Sequence, residues 1–443
     1  MIVVKKCIVR ILFSGAPLGT PKWPNITFDP DKRAQELMRI LKERYSDFEF
    51  VDGRVLKRSE DVKDLLKELG TKGEICTVLF HLASTWFGLS EIFEKLPTVV
   101  ISDPYLWGYA GMISHSYALR RKGVKGFIVS SSSWHDIDLA FRIIRAYCRL
   151  RSSRILVVGR HVLSATKEDM KKALGELGVK IFYADFKELM EEYQKVDIKE
   201  AEKLAERLIL RADKIVEPKK EDVVSSARMY FALRRLCEKY KANGVTIDCL
   251  GGFDRGELPA YPCIAFSLLD DEGEIMTACE CDVDSLLTKI VMREIALRPG
   301  FICEPAIDTS NNVAIYAHCV APTRMRGFNE PPESYWIRSH AEDNKGACLQ
   351  VLMKGGVPVT ITKLIPLERK ILLLKGELLG HEEAEGGCRT KAIVRVQNAQ
   401  ALIDNWYHNW HRVLFYGDWT RGLYWFAKLI GYEIIKEEGS MPF

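Results

Sequence analysis

What most constrains this chain is the alternation across its first 150 residues, where short apolar runs are separated by amphipathic helical stretches. "CIVRILFSG" leads into "DPDKRAQELMRILKERY", "GEICTVLFHL" into "GLSEIFEKL", and "PTVVISD" and "VKGFIVS" follow in turn. Strands joined through helices pair in parallel, so this order predicts a sheet covered by helices. A second stretch of the same kind opens at "SSRILVVGRHVLSATKEDMKKALGELGVKIFYADF". It continues through a charged helical region, Asp197 to Lys241, to the strand "GVTIDCL" and the glycine-rich loop "GGFDRGELPAYP". Past Gly300 the pattern changes: "VAIYAHCV", "CLQVLMKGGVPVTITKLI", "RKILLLKGELL" and "TKAIVRVQN" are short strands divided by turn signals, as in an antiparallel sheet or barrel. The expectation is an α/β protein of three domains. Two are Rossmann-like, 1–152 and 153–299, and a β-rich, barrel-like domain spans 300–443.

At 443 residues the chain is too long for one ordinary core. Its 64 basic and 60 acidic residues leave a net charge of +4, far from the basic excess of a nucleic-acid binder. The opening "MIVVKKCIVRILFSG" is broken by basic residues and reads as a buried strand rather than a signal peptide. No stretch approaches the roughly 20 apolar residues of a membrane span. Twelve scattered cysteines without an export signal suit a reducing cytoplasm. The lone glycine of "VVGRHV" lacks the companions of a dinucleotide turn.

The chemistry concentrates in "GEIMTACECDVDSLLTKI", Gly273 to Ile290. If "TACECDV" is extended, Cys279, Cys281 and Val283 share one face and Glu280, Asp282 and Asp284 the other. The thiols then read as small buried hydrophobes rather than metal ligands. Asp282 or Asp284 suits the start of the following helix. Glu280 lies inside an apolar strand, where an ionised acid is costly unless it is paired or ligates a metal. Further polar groups lie in "FICEPAIDTSNNVAIYAHCV", with Asp308, Asn311, Asn312 and His318, and in "NWYHNWHRVLFYGDW", with His408 and His411. For Asp308 an ordinary Asx-turn competes with a functional role. For a lone histidine among aromatics, simple packing does. Two acids and a histidine together suit a hard or borderline divalent ion such as Mn²⁺ better than zinc.

"VTIDCL", "LPAYPCIAFSLLDDEGEIMTACECDVDSLLTKI", the "DTSNN" to "AHC" segment, "GGVPVTITKL" and "HRVLFYGDW" together resemble the L-fucose isomerase and L-arabinose isomerase superfamily. The resemblance implies a cytoplasmic, metal-dependent ketol isomerase acting on a monosaccharide through a cis-enediol. It puts Mn²⁺, or another divalent cation, on Glu280, Asp308 and His411, near the junction of the second and third domains. Glu280 and Asp308 would also transfer the protons. The arabinose branch adds a histidine ligand that falls at His318, which is a ligand or a substrate contact. Asn311 and Asn312 would contact the sugar. Trp86 resembles a tryptophan presented across a subunit interface, which implies a homo-oligomer, a trimer or hexamer, with neither nucleic acid nor membrane as partner. The alternatives are an L-arabinose/D-galactose-type isomerase and a catalytically silent sugar-binding protein of the same fold.

Overall fold

A computed structural model of the chain describes residues 6–83, 85, 89–106, 108–159, 162–163 and 165–438. The alternation of the first 150 residues becomes a five-stranded parallel sheet of β1 (Cys7–Ser14), β2 (Phe48–Leu56), β3 (Cys76–His81), β4 (Thr98–Ser102) and β5 (Gly126–Ser130). Its strand order, 2-1-3-4-5, is one of the common orders of open parallel α/β sheets. β3 and β4, in the middle of the sheet, are buried along their whole length, as strands covered by helices on both faces require, while the edge strand β2 is half-buried and carries Glu49, Asp52 and Arg54.

The second parallel sheet contains β6 (Arg154–Val158) and β7 (Lys180–Ala184). The chain then makes a two-residue strand, β8 (Lys214–Ile215), and returns with β9 (Gly244–Ile247) and β10 (Met276–Cys279), giving the order β10-β9-β6-β7. The glycine of "VVGRHV", Gly159, ends β6 with φ +134°, and a Cβ there would stand 2.7 Å from Cβ of Asp248. Backbone geometry and crowding by Asp248 account for this glycine.

The β-rich part is built from β11 (Phe301–Asp308), β12 (Val313–His318), β13 (Tyr335–Arg338), β14 (Cys348–Val351), β15 (Val357–Ile365), β16 (Lys370–His381), β17 (Thr390–Arg395), β18 (Arg412–Tyr416) and β19 (Glu433–Lys436). Six of them, in the order β15-β18-β11-β12-β17-β16, form a ring that the β15–β16 pairing closes into an antiparallel barrel. Closure removes the edges that an open sheet would expose. β13 and β14 pair with each other, and β13 also pairs with β8.

The structure divides the chain into two compact units. One runs up to Cys148 and includes Arg421–Glu433; the other comprises Arg149–Thr420 and the strand from Ile434. Segments 153–299 and 300–443 are not separable because of the helix Val283–Ala296. This helix follows β10, packs on β15 and β18, and buries every residue but Arg293. Thr288 Oγ1 in it accepts a hydrogen bond from Leu364 N of β15, at 2.8 Å. The terminal helix Thr420–Ile430 lies mostly in the first unit. Its Trp425 stacks on Phe127 of β5 at 5.1 Å, and its Arg421 meets Asp136 at 3.1 Å. Among the described residues no helix is long and apolar enough to cross a membrane.

Arg10 of β1 is fully buried in the first unit, with Nε 2.8 Å from Glu74 and Nη1 2.6 Å from Asp52. Burial alone would raise both carboxyls. Bonds from Arg54 and Arg10 to Asp52, and from backbone N–H groups and Arg10 to Glu74, outweigh it and hold both below the usual carboxylate range. Their stabilisation is therefore complete above the unfolded-state values near 4 and is lost as pH falls below them toward the folded values. Urea denaturation should show this unit weakening as pH drops from about 5 to about 3. Arg10→Ala should cost about 3–5 kcal/mol at neutral pH, by stranding two buried acids, and should flatten that acid dependence.

Candidate metal centre

The strand "TACECDV" is shorter than its sequence suggests. β10 ends at Cys279, and Glu280 and Cys281 both take left-handed backbone, with φ +56° and +54°. For residues with side chains such backbone costs on the order of 1–3 kcal/mol each. The turn is held by Cys281 N donating to Ile247 O at 3.1 Å, and by Asp282, whose side chain caps the next helix through Ser285 N at 2.9 Å. The expected alternation of faces thus stops at Cys279, and Glu280 is aimed by a turn between a strand end and a capped helix. The thiols are nevertheless buried. A contact with Cys249, with burial adding to it, pushes the Cys279 pKa up, and burial raises that of Cys281, as for packed groups rather than thiolate ligands.

Two histidines from the barrel meet this turn. His318 is the last residue of β12, and His411 immediately precedes β18. Their ring centroids are 5.3 Å apart, and Nε2 of each lies 3.8 Å from Glu280 Oε1. Both Nε2 atoms are buried without a hydrogen-bond partner. Among the described residues, Glu280, His318 and His411 are the group able to hold a metal ion, with one ligand atom from each inside 4.8 Å of the others. One carboxylate and two imidazoles fit a divalent cation of borderline hardness, and an ion there would satisfy the orphaned nitrogens.

The two rings are not equivalent. His411 Nδ1 lies 3.0 Å from Asp282 Oδ2, so its proton belongs on Nδ1 and its Nε2 carries a lone pair toward Glu280. His318 Nδ1 accepts from Cys319 N at 2.8 Å, so the neutral ring carries its proton on Nε2 and presents a donor. Ligation through that nitrogen would require the proton to leave and the Cys319 contact to give way. Burial, with His411 adding to it, pushes the His318 pKa down to about 3, so the ring is neutral at any ordinary pH.

A second carboxylate belongs to this neighbourhood, and the sequence reading passed over it. Cys303 of β11 pairs with Arg412 of β18, so Glu304 and His411 occupy successive positions on adjoining strands. Desolvation raises the Glu304 pKa; His411 opposes the shift and Glu280 reinforces it, which places Glu304 in the field of both. Its signal in "FICEPAID" was the one that singled out Glu280, an acid within an apolar strand.

Asp308 does not join the cluster. It closes an Asx-turn, accepting from Ser310 N at 2.9 Å, Ser310 Oγ at 2.6 Å and Asn311 Nδ2 at 2.7 Å. Those bonds hold its carboxyl below the usual range. Asn312 is likewise occupied, donating to Val396 O and Gln397 O and accepting from Ala399 N at 2.7 Å. Asp308, Asn311 and Asn312 thus shape the β11–β12 turn. Trp86 lies outside the described residues. His408 Nε2 bonds Asp284 Oδ2 at 2.9 Å, which ties the loop carrying His411 to the same helix. No protein-family model and no curated protein matches the chain.

Calorimetric titration of chelator-stripped protein with Mn²⁺ or Co²⁺ should find one site per chain. His411→Ala and Glu280→Gln should each abolish or severely weaken it. Asp308→Asn should leave affinity within about twofold, since its partners lie in its own turn.

Proposed function

We propose that this protein is a metal-dependent aldose-ketose isomerase of the L-fucose/D-arabinose type, acting through a cis-enediol or its anion. The observation that carries this reading is the convergence of Glu280 with His411 and His318, whose Nε2 atoms are buried and unpartnered, beside a second carboxylate, Glu304. A binding protein has no need of such an arrangement. The blocks that resemble sugar isomerases contain Glu280, His318 and His411. In this reading the parallel sheets are Rossmann-like, the protein works in the cytoplasm as a homo-oligomer, and its cation is Mn²⁺.

Glu280 and His411 would hold the cation, with His318 available as a third ligand. A bound divalent ion would supply Lewis acidity to the reaction. Glu304 is the base. Its pKa raised by desolvation, it takes the C2 proton as the C–H electrons form the C1–C2 double bond and the carbonyl pair moves onto O1, then returns that proton to C1. Glu280 carries the O2 proton to O1, leaving a carbonyl at C2 and a hydroxyl at C1, so atoms and charge balance. Glu304 takes the role expected of Asp308, whose oxygens are engaged in its own turn.

His318 gives a specific reason for a second reading. Its Nε2 lies 3.8 Å from Glu280, which supports the two-acid, two-histidine set of an L-arabinose/D-galactose-type isomerase.

Metal-stripped protein reloaded with Mn²⁺ should convert one of L-fucose, D-arabinose, L-arabinose or D-galactose to its ketose, read by colorimetric ketose detection. Glu304→Gln should reduce turnover by about 10²- to 10⁴-fold, while Asp308→Asn should leave most of it. Deuterium at C1 of a ketose made in D₂O supports the carboxylate route. Failure with all four sugars in protein shown to carry one metal per chain would overturn the reading.

A further inference from the structure

Behind His411 lies a buried arrangement that neither the metal ligands nor the acid pair uses. Asp282 Oδ2 lies within hydrogen-bond distance of three donors: His411 Nδ1 at 3.0 Å, Lys363 Nζ at 2.6 Å and Ser285 Oγ at 2.8 Å. Its Oδ1 accepts from Ser285 N at 2.9 Å. A carboxyl surrounded by donors alone is an ionised acceptor, so the ring nitrogen facing it must carry hydrogen. Lys363, on β15, has a side chain with no exposed surface and makes a second bond to Asn409 Oδ1 at 2.6 Å, two residues before His411. One ammonium thus touches both the anion that faces His411 and the loop that carries it.

We infer that Asp282 and Lys363 are a positioning pair that fixes the tautomer and orientation of His411 and strengthens its Nε2 as a cation ligand. The inference rests on the metal-site reading and assigns a role to two residues outside it. A histidine ligand commonly gives its second N–H to a carboxylate, and loss of that partner weakens metal binding about 10- to 100-fold. Here the carboxylate is also the helix cap, which locks its rotamer. Lys363 Nζ, 2.6 Å from both Asp282 Oδ2 and Asn409 Oδ1, pins that carboxylate to the loop that carries His411.

The competing view is that the two residues form a structural ion pair, and a pair of variants separates the two. Asp282→Asn keeps the size and the capping ability of the side chain but strands the Lys363 charge. Asp282→Asn/Lys363→Met removes both charges. Each is titrated with Co²⁺ after chelator stripping, with affinity from calorimetry, the ligand field from visible absorption and the melting temperature recorded in parallel. The positioning role predicts that the double variant regains melting temperature, while Co²⁺ affinity stays about 10- to 100-fold below wild type and the absorption band is altered. Recovery of both stability and affinity in the double variant, or wild-type affinity in Asp282→Asn, would overturn this inference alone. If the wild type binds neither Co²⁺ nor Mn²⁺, the metal-site reading falls, and this inference with it.

Discussion

Taking an ammonium out of water costs several kcal/mol unless an anion and further acceptors go with it, and Lys363 is where this protein meets that requirement. Its Nζ reaches Asp282 at the start of one helix and Asn409 in the loop ahead of β18, while its own backbone belongs to β15. Burial lowers its pKa, and the charges of Asp282 and Asp284 oppose that shift. For Asp282 the balance goes the other way: burial would raise its pKa, but Lys363 and His411 hold it far below the usual carboxylate range. Removing either partner leaves a charge with no water to receive it. The sheet end, the helix and the barrel are thereby coupled at the point where Glu280 and His411 meet.

A second network runs alongside the first. Asp284, one turn position on, is buried and bonded to His408, and burial raises its pKa against that bond. Tyr407 meets Lys370 and Glu368, and Arg412 stacks over Trp406 with 3.9 Å to the ring centroid while pairing with buried Glu437. The segment from Trp406 to His411 has no regular secondary structure before β18 begins at Arg412, yet its side chains are fixed from different directions. A loop built this way can hold a histidine as firmly as a strand would.

Much of this was legible in the sequence, for reasons that also mark where reading failed. The strand and helix alternation and the later switch to short strands gave the parallel sheets and the barrel, because periodicity reports directly on which faces are buried. Glu280 stood out as an acid in an apolar strand, and His411 entered through the resemblance. Asp308 entered through the resemblance although "DTSNN" carries the marks of an Asx-turn, and Glu304 went unread until the pairing of Cys303 with Arg412 put it beside His411. The break at Glu280 was invisible because no glycine announces it. The helix Val283–Ala296 is legible in the sequence as apolar, but not as an element packed against both the parallel sheet and the barrel.

The order in which the cluster's residues occur along the chain matters when the protein is made. Asp282 and His411 are 129 residues apart. The first unit, for its part, draws on the stretch Arg421–Glu433 at the far end of the chain. A ribosome working from the amino terminus therefore releases the parallel strands, Glu280 and most of the barrel well before it releases the histidine and the helix that complete the two units. During that interval Lys363 and Asp282 can find each other, but the group of Glu280, His318 and His411 cannot come together until His411 has emerged. Until Arg421–Glu433 emerges the first unit is incomplete, and apolar sheet surface left exposed in that interval is what a chaperone would have to cover.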